Sequence, residues 1–243
     1  MPTTNTIDRP TDALALLATM RLEDGRPWIE AAVDFQLEDA RAILEPRPGD
    51  PRNHLLSRPK GASKSTDMSG VAISWLIADA LPGEEGYVVA SDREQAQRLL
   101  ARAAGLIRRT PGFDAVLEVQ SWAIVNRKAG AKVEALAADA AGAEGIVTRL
   151  LLLDELGQWN ATAQARAMWT TCYSSIPKGA ALPGGMTFAV IGHASIEGSW
   201  QHRIYEQLRD APLWRVRDVP GPVPWLDPDL LAEQERILTP DQY

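Results

Sequence analysis

Apolar runs of strand length alternate with segments of helical periodicity along most of the chain, and this alternation constrains the fold most. The strand-like runs are GYVVAS (86–91), IVTRLLLLDE (146–155) and MTFAVIGHAS (186–195). Helical patterns follow them at 92–109, 162–173 and 199–209. Near-continuous apolar strands require helices on both faces of the sheet, which is typical of parallel sheets. The sequence therefore predicts a three-layer α/β fold with a mostly parallel sheet.

The remaining elements are shorter. A helical pattern runs from Pro27 to Leu44, and three prolines in EPRPGDPRN (45–53) predict a loop. Asp92 is placed to cap the helix that follows it. Further patterns predict a short strand at 54–57, a helix from Thr66, strands at 115–126 and 131–137 around a turn, and a polar helix at 230–243.

Composition limits the class of protein. Lys and Arg number 25 against 32 Asp and Glu, a net charge of −7, which excludes binding of nucleic acid through overall positive charge. Cys172 is the only cysteine, so neither an internal disulfide nor a thiolate metal cluster can form. His54, His193 and His202 are widely separated and lack the spacing of a metal site. Neither a signal peptide nor a membrane span is expected.

The stretch SRPKGASKST (57–66) lies between the short strand and the helix from Thr66. Lys64-Ser65 closes it as in a phosphate-binding loop, although Arg58 and Ser63 replace both glycines of the usual spacing. Loop N–H groups and the helix dipole could hold a polyphosphate there, with the lysine neutralising it and the hydroxyl binding Mg²⁺. A basic surface turn is the alternative.

The second motif is LLLLDE (150–155), which places Asp154 and Glu155 at the carboxyl end of a buried strand. Open parallel sheets bind ligands at that edge. The first carboxylate can hold Mg²⁺ through water, and the second can orient and deprotonate an attacking water. A solvated strand end is the alternative. Together, the two motifs favour an ATPase with a glutamate base.

In their order along the chain, five segments resemble large terminase subunits, the DNA-packaging motors of tailed bacteriophages. The segments are VDFQLEDARAIL (33–44), RPKGASKS (58–65), YVVASDREQAQ (87–97), LAADAAGAEGIVTRLLLLDELGQW (136–159) and VIGHAS (190–195). The resemblance covers roughly residues 27 to 240 and implies a P-loop NTPase fold of the RecA/ASCE type. It departs from the family at Ser63, which stands for glycine, and at His193 in the coupling motif.

The resemblance also implies a division of the chain. We expect a helical N-terminal arm at 1–26, the ATPase domain at 27–212, and at 213–243 a linker toward a nuclease domain that this chain lacks. The chain is then an isolated motor domain, monomeric alone and a ring when assembled.

Residue roles follow from the resemblance. Lys64 contacts the β- and γ-phosphates, Ser65 binds Mg²⁺, Asp154 belongs to the Mg²⁺ shell, and Glu155 activates the lytic water. The rest of the loop surrounds ATP through Arg58, Pro59, Lys60, Gly61, Ala62, Ser63 and Thr66.

Four further assignments keep their alternatives. Arg58 stabilises transition-state charge, or is a surface arginine near phosphate. Gln36 reads adenine, or is an exposed helix glutamine. His193, with Ser195, couples hydrolysis to movement, or is an ordinary polar group at a strand end. RRT (108–110) and Arg149 act on a neighbouring subunit, or are solvated charges.

The implied function is Mg²⁺-dependent ATP hydrolysis that drives double-stranded DNA into a viral procapsid. The implied partners are DNA, a portal protein and a small terminase subunit, in the cytoplasm of the bacterial host. Two other functions stay open. One is a helicase-like, nucleic-acid-stimulated ATPase, against which no second phosphate loop follows residue 195. The other is a nucleotide-binding scaffold without hydrolysis, which would not need Glu155.

Overall fold

The computed structural model describes residues 12–138 and 146–237. Its helices are α1 (Ala13–Thr19), α2 (Trp28–Ala31), α3 (Asp34–Leu44), α4 (Lys64–Ala78), α5 (Arg93–Arg109), α6 (Phe113–Val116), α7 (Ala163–Ser174), α8 (Ile176–Ala180), α9 (Trp200–Arg209) and α10 (Pro228–Ile237). Its strands are β1 (Asn53–Ser57), β2 (Glu85–Ala90), β3 (Leu117–Val119), β4 (Ala123–Asn126), β5 (Lys132–Ala137), β6 (Leu150–Asp154), β7 (Thr187–Gly192) and β8 (Trp214–Asp218). None of the described helices has the length and apolarity needed to cross a membrane.

The strands form one sheet of eight in the order β3-β4-β5-β2-β6-β7-β1-β8. Among these described strands, β4 alone runs against its neighbours, and the other pairs are parallel. This confirms the mostly parallel sheet that the sequence predicts.

Both faces of the sheet are covered by helices. In β6, Leu150 and Leu152 pack into the core formed with α1, α4 and α5, whereas Leu151 and Leu153 pack into the core formed with α7 and α9. Successive side chains of a strand point to opposite faces, so four leucines in a row supply both cores. The three-layer prediction is therefore confirmed.

Two helical predictions differ in their outcome. The Asp92 side chain accepts the Gln95 N–H at 2.9 Å and caps α5, as predicted. The helix expected over 27–44 is instead interrupted, because Ala32 and Val33 are extended. The side-chain oxygen of Gln36 accepts the Val33 N–H at 3.2 Å, which provides the start of α3 with a polar cap. The sequence did not reveal this break.

Strand β8 is absent from the sequence predictions. It pairs in parallel with β1 beyond the boundary expected at residue 212. The arginines of WRVRD hide its strand character, yet Arg215 and Arg217 lie against α3 and pair with Asp39 and Glu38. The helix predicted at 230–243 corresponds to α10 as far as Ile237, and 238–243 lie outside the described residues.

The carboxyl ends of β1, β6 and β7 meet at one edge of the sheet. Ser57 lies opposite Gly192, and Asp154 lies opposite Ile191. Two backbone hydrogen bonds continue these ladders, from Arg58 N to Gly192 O (2.8 Å) and from Glu155 N to Ile191 O (2.7 Å). The residues that follow the three strands are thereby brought together.

We predict that Gly70→Ala destabilises the protein by about 1–3 kcal/mol through overpacking. A Cβ at this position would lie 2.4 Å from Leu17 Cδ1, and Leu17 is only 1% exposed. Urea unfolding measures the change. Gly105→Ala in α5 is the control, because its Cβ would meet only the flexible end of Arg109, and we expect unchanged or slightly higher stability. Equal effects of the two substitutions would contradict this account of α1 packing on α4.

Candidate nucleotide-binding site

The loop between β1 and α4 is curled around the side chain of Lys64. The ammonium group donates hydrogen bonds to the carbonyl oxygens of Arg58 (3.2 Å) and Pro59 (3.0 Å). Lys64 is itself buried, so these bonds draw the start of the loop toward the first turn of α4. The lysine side chain therefore helps to define the shape of the loop.

Most of the loop's N–H groups point to no acceptor within the described protein. Ala62 N donates to Pro59 O at 3.2 Å. Across residues 12–138 and 146–237, no hydrogen-bond acceptor is found for the N–H groups of Lys60, Gly61 and residues 63–66. These donors surround the N-terminus of the fifteen-residue helix α4, where the helix dipole is positive. The arrangement is suited to a polyphosphate.

Ser63 adopts the backbone conformation usually reserved for glycine. Its φ of 57° and ψ of 19° lie in the left-handed region. The loop thus keeps the shape that glycine would permit, at the cost of strain that a residue with a Cβ experiences there. Its replacement of glycine, which raised doubt about tight phosphate wrapping, does not change the direction of the backbone.

Glu155 faces Lys64 across the site. Its Oε1 lies 3.2 Å from Lys64 Nζ, and its Oε2 accepts the His193 backbone N–H (3.1 Å) and contacts His193 Nδ1 (2.7 Å). Burial acts to raise the pKa of Glu155, but the hydrogen bond from His193 and the charge of Lys64 outweigh it and leave the pKa below its usual value. Glu155 is therefore ionised at neutral pH.

The backbone of Glu155 also lies in the left-handed region, with φ 49° and ψ 48°. This turn directs Glu155 away from the path of β6 and toward β7. Gly192 gives it room, because a Cβ there would lie 3.3 Å from Glu155 Oε2. Strained residues of this kind persist where the surroundings fix them.

Asp154 has a different environment from its neighbour. It is 6% exposed, and its Oδ1 is buried without a hydrogen-bond partner in the described part of the chain. Burial and the charge of Glu155 raise the pKa of Asp154 to about 7. An unsatisfied buried carboxylate oxygen beside the phosphate loop is suited to a hydrated Mg²⁺ ion.

Arg58 is not available to phosphate in this structure. Its guanidinium, 2% exposed, donates to Asp67 Oδ2 (2.6 Å) and Asp39 Oδ2 (2.9 Å) and lies over the ring of Phe35 at 5.0 Å. It is therefore neither a surface arginine nor a group that faces the site. Stabilising transition-state charge would require it to leave two buried carboxylates.

Gln36 is buried rather than exposed. Its Nε2 donates to both carboxylate oxygens of Asp67, at 3.0 and 2.9 Å, and its Oε1 caps α3. The expectation of an exposed helix glutamine is thus corrected. Adenine reading stays a prediction, and it requires Gln36 to exchange these partners.

The other predicted residues are dispersed. Ser65 lies in the first turn of α4 with Thr66, whereas Lys60 is exposed. Ser195 lies beside Gly157, since a Cβ there would be 3.2 Å from Ser195 Oγ. Arg149 precedes β6 at the opposite edge of the sheet and pairs with Glu84. RRT (108–110) follows the far end of α5, where Arg109 binds the carbonyl of Arg21.

Sequence reasoning missed four residues that support the loop. Asp67 and Asp39 hold Arg58, Trp28 Nε1 donates to Asp67 Oδ1 (2.9 Å), and Trp225 Nε1 donates to Gly61 O (2.9 Å). Asp67 lies three residues after Lys64 in a helix that is buried along most of its length. A charged residue in that position was the available signal, because buried carboxylates need partners.

The fold and the site together define a P-loop NTPase of the ASCE class, in which β7 lies between the loop strand β1 and the acidic strand β6. Residues 52–176, more than half of the chain, match the family model described as the terminase large subunit ATPase domain. The chain belongs to this family. A search of curated protein sequences gave no match.

Solved structures agree on the fold. The large terminase of bacteriophage HK97 matches with a TM-score of 0.70 and 17% identity over 89% of this chain and 44% of that one. The large terminase ATPase domain of Thermus phage P74-26 matches with a TM-score of 0.59 and 18% identity, over 96% and 94% of the chains. The large terminase of a thermophilic bacteriophage gives 0.64 and 10% identity, over 84% and 50%. The chain thus spans less than half of the HK97 protein.

The conformation of Ser63 leads to a stability prediction. Ser63→Val should lower the free energy of unfolding by about 1–2 kcal/mol, because a β-branched residue is strained in the left-handed region. Ser63→Gly should change it by less than about 1 kcal/mol, since relief of strain is offset by greater freedom of the unfolded chain. Urea titration measures both. A Val variant as stable as the Gly variant would show that Ser63 is not held in this conformation.

Asp154 leads to a prediction about pH. Below pH 4 the carboxyl is protonated in both states, and between pH 4 and about 7 only the unfolded chain ionises, so this group lowers stability as pH rises and stops doing so above pH 7. Without divalent cations, Asp154→Asn should therefore gain stability over the wild type, by about 2–4 kcal/mol at pH 8 and little at pH 4. Urea unfolding in EDTA measures it. A difference independent of pH would contradict the raised pKa.

Proposed function

We propose that this chain is the ATP-hydrolysing motor domain of a phage DNA-packaging terminase, and that hydrolysis depends on Mg²⁺. The proposal is carried by one arrangement: loop N–H donors that have no acceptor in the described residues surround Lys64, and the Glu155 carboxylate lies 3.2 Å from its ammonium group. A polyphosphate binding site and a water-activating group thus face each other. The ADP complex of the thermophilic bacteriophage's large terminase supports a nucleotide in this fold.

Lys64 holds two kinds of partner that a nucleotide replaces. Its bonds to the carbonyls of Arg58 and Pro59 keep the loop curled, whereas its ion pair with Glu155 crosses the space in front of α4. A γ-phosphate that enters this space attracts the ammonium group more strongly than one carboxylate does. We propose that phosphate binding frees Glu155 from Lys64.

Ser65 and Asp154 would hold Mg²⁺. Ser65 offers a hydroxyl in the first turn of α4, and Asp154 offers the buried Oδ1 that lacks a partner in the described chain. When bound, Mg²⁺ neutralises charge on the β- and γ-phosphate oxygens. The raised pKa of Asp154 fits a carboxylate whose charge is stabilised only when a cation is present.

Glu155 is proposed to orient the lytic water and accept its proton. His193 holds Oε2 through two contacts, which leaves Oε1 for the water once Lys64 turns to phosphate. Because His193 follows β7 and touches the base directly, a change at Glu155 is passed to the segment from His193 to Ser195. This supports the proposed coupling role for these residues.

The base of the nucleotide is proposed to lie near α3. A groove of about 370 Å³ runs between residues 33–35 and 217–224, and Phe35 lines it. Gln36 is the next residue, so its proposed adenine contact requires a local rearrangement rather than a long movement.

The work of the motor is proposed from the family. Double-stranded DNA, a portal protein and a small terminase subunit are the partners, and a ring of subunits is the assembly. The proposed division into an arm (1–26), an ATPase domain and a C-terminal linker is retained, with β8 included in the sheet. A helicase-like ATPase remains an alternative, and duplex-stimulated translocation without unwinding would separate the two.

Two substitutions test hydrolysis. Glu155→Gln should lower ATP turnover by about 10²-fold or more, because it removes the proton acceptor, and should retain ATP binding. Lys64→Ala should lose ATP binding, because the phosphate loses its cation. Turnover is measured with Mg²⁺, and binding with a fluorescent ATP analogue. Lys178→Ala, in α8 at the opposite edge, is the control and should match the wild type.

The outcomes distinguish the candidate functions. ATP binding without turnover, unchanged in Glu155→Gln, would favour a nucleotide-binding scaffold. Wild-type turnover that survives Glu155→Gln would show that another group is the base. Failure of the wild type to bind ATP would refute the proposed function.

A further inference from the structure

The segment that follows β8 crosses the phosphate loop. We call residues 219–227 the strap. It begins with a hydrogen bond from Val219 N to Ser57 O (2.8 Å), at the last residue of β1. It ends at Asp227, just before α10. The strap is therefore attached to the same strand end from which the loop departs.

The strap touches the loop at three points. Trp225 Nε1 donates to Gly61 O (2.9 Å). Leu226 covers Gly61, because a Cβ at Gly61 would lie 3.3 Å from Leu226 Cδ1. A Cβ at Gly221 would lie 3.4 Å from Pro59 Cβ, so the backbone of the strap runs beside Pro59. These contacts are on the part of the loop before Ser63.

The strap is also anchored to the fold beside the loop. Val223 is 2% exposed. The Trp225 ring lies 6.3 Å from the Phe35 ring, and the Arg58 guanidinium covers Phe35 at 5.0 Å. Trp225 itself remains 43% exposed. An indole that stays this exposed is held by its N–H bond and by Phe35 rather than by burial.

The bond to Gly61 fixes the orientation of one peptide. The C=O and N–H of a trans peptide point in opposite directions. With Gly61 O directed to Trp225, the Ala62 N–H points back into the loop, where it meets Pro59 O (3.2 Å). That turn, from Pro59 to Ala62, sets the course of the chain into Ser63 and the N–H groups beyond it.

We infer that Trp225 is a positioning residue for nucleotide binding, which acts by holding the Gly61 peptide so that the loop's N–H groups are pre-arranged for phosphate. The inference rests on the proposed function of the loop as an ATP site. Pre-arrangement lowers the cost of ordering on binding, so it affects affinity more than the chemical step. Trp225 does not itself contact the phosphate or the base Glu155.

Trp225→Phe removes the indole N–H and keeps an aromatic ring against Phe35. We expect the ATP dissociation constant to rise about 3–10-fold, the effect of losing one neutral hydrogen bond, and kcat at saturating ATP to stay within about 2-fold. Amide hydrogen exchange at residues 60–63 should become faster in the nucleotide-free variant. Trp122→Phe is the matched control, because Trp122 packs against Arg93 beside β4, on the other side of the sheet from β1.

A second variant covers the case in which Trp225→Phe alters folding. Leu226→Ala uncovers Gly61 without changing Trp225, and it should also weaken ATP binding and speed exchange at 60–63. Thermal unfolding identifies any variant that is generally destabilised.

Each result decides. Unchanged ATP affinity in both variants, with normal binding by the wild type, would overturn the inference and leave the proposed function intact. A loss of kcat with unchanged affinity would overturn it as well, since it would place Trp225 in the chemical step. A wild type that binds no ATP would refute the proposed function and the inference together.

Discussion

The phosphate loop depends on a buried ionic cluster around Arg58. The guanidinium bonds Asp39 from α3 and Asp67 from α4, and Asp39 also pairs with Arg215 from β8. A buried charge without a partner costs several kcal/mol, so these groups hold one another in place. Arg58 is the first residue after β1, and Asp67 lies in the first turn of α4. The cluster therefore fixes where the loop starts and where the helix that ends it must lie.

The same cluster connects distant parts of the sequence. Trp28 and Gln36 bond the Asp67 carboxylate from α2 and α3, and Phe35 packs under Arg58. Burial raises the pKa of Asp67, while Arg58, Trp28 and Gln36 oppose that effect. The segments before β1 and after β7 thus meet around one residue of the loop. The main role of Arg58 in this structure is architectural, although its position near phosphate suggested a catalytic one.

The sequence predicted the parts that depend on local pattern. The leucines of β6, the Asp92 cap and the position of Lys64 and Glu155 at strand ends follow from periodicity and from the geometry of parallel sheets. It did not predict β8, because the arginines that make WRVRD look polar have their partners in α3, 176 residues away for Arg215. The partners of Arg58, Gln36 and Trp225 were missed for the same reason. Pairing across long separations leaves no trace in a window of neighbouring residues.

The place of β8 in the sheet also has a mechanical meaning. β8 is hydrogen-bonded to β1 along its length, and the chain leaves it at the edge where the phosphate loop begins. A force pulling on the chain beyond β8 would load the β1–β8 ladder in shear, a direction in which all of its hydrogen bonds resist together. The nucleotide loop therefore lies at the end of a stiff two-strand beam, so that load from one direction and chemistry from the other reach the same few residues.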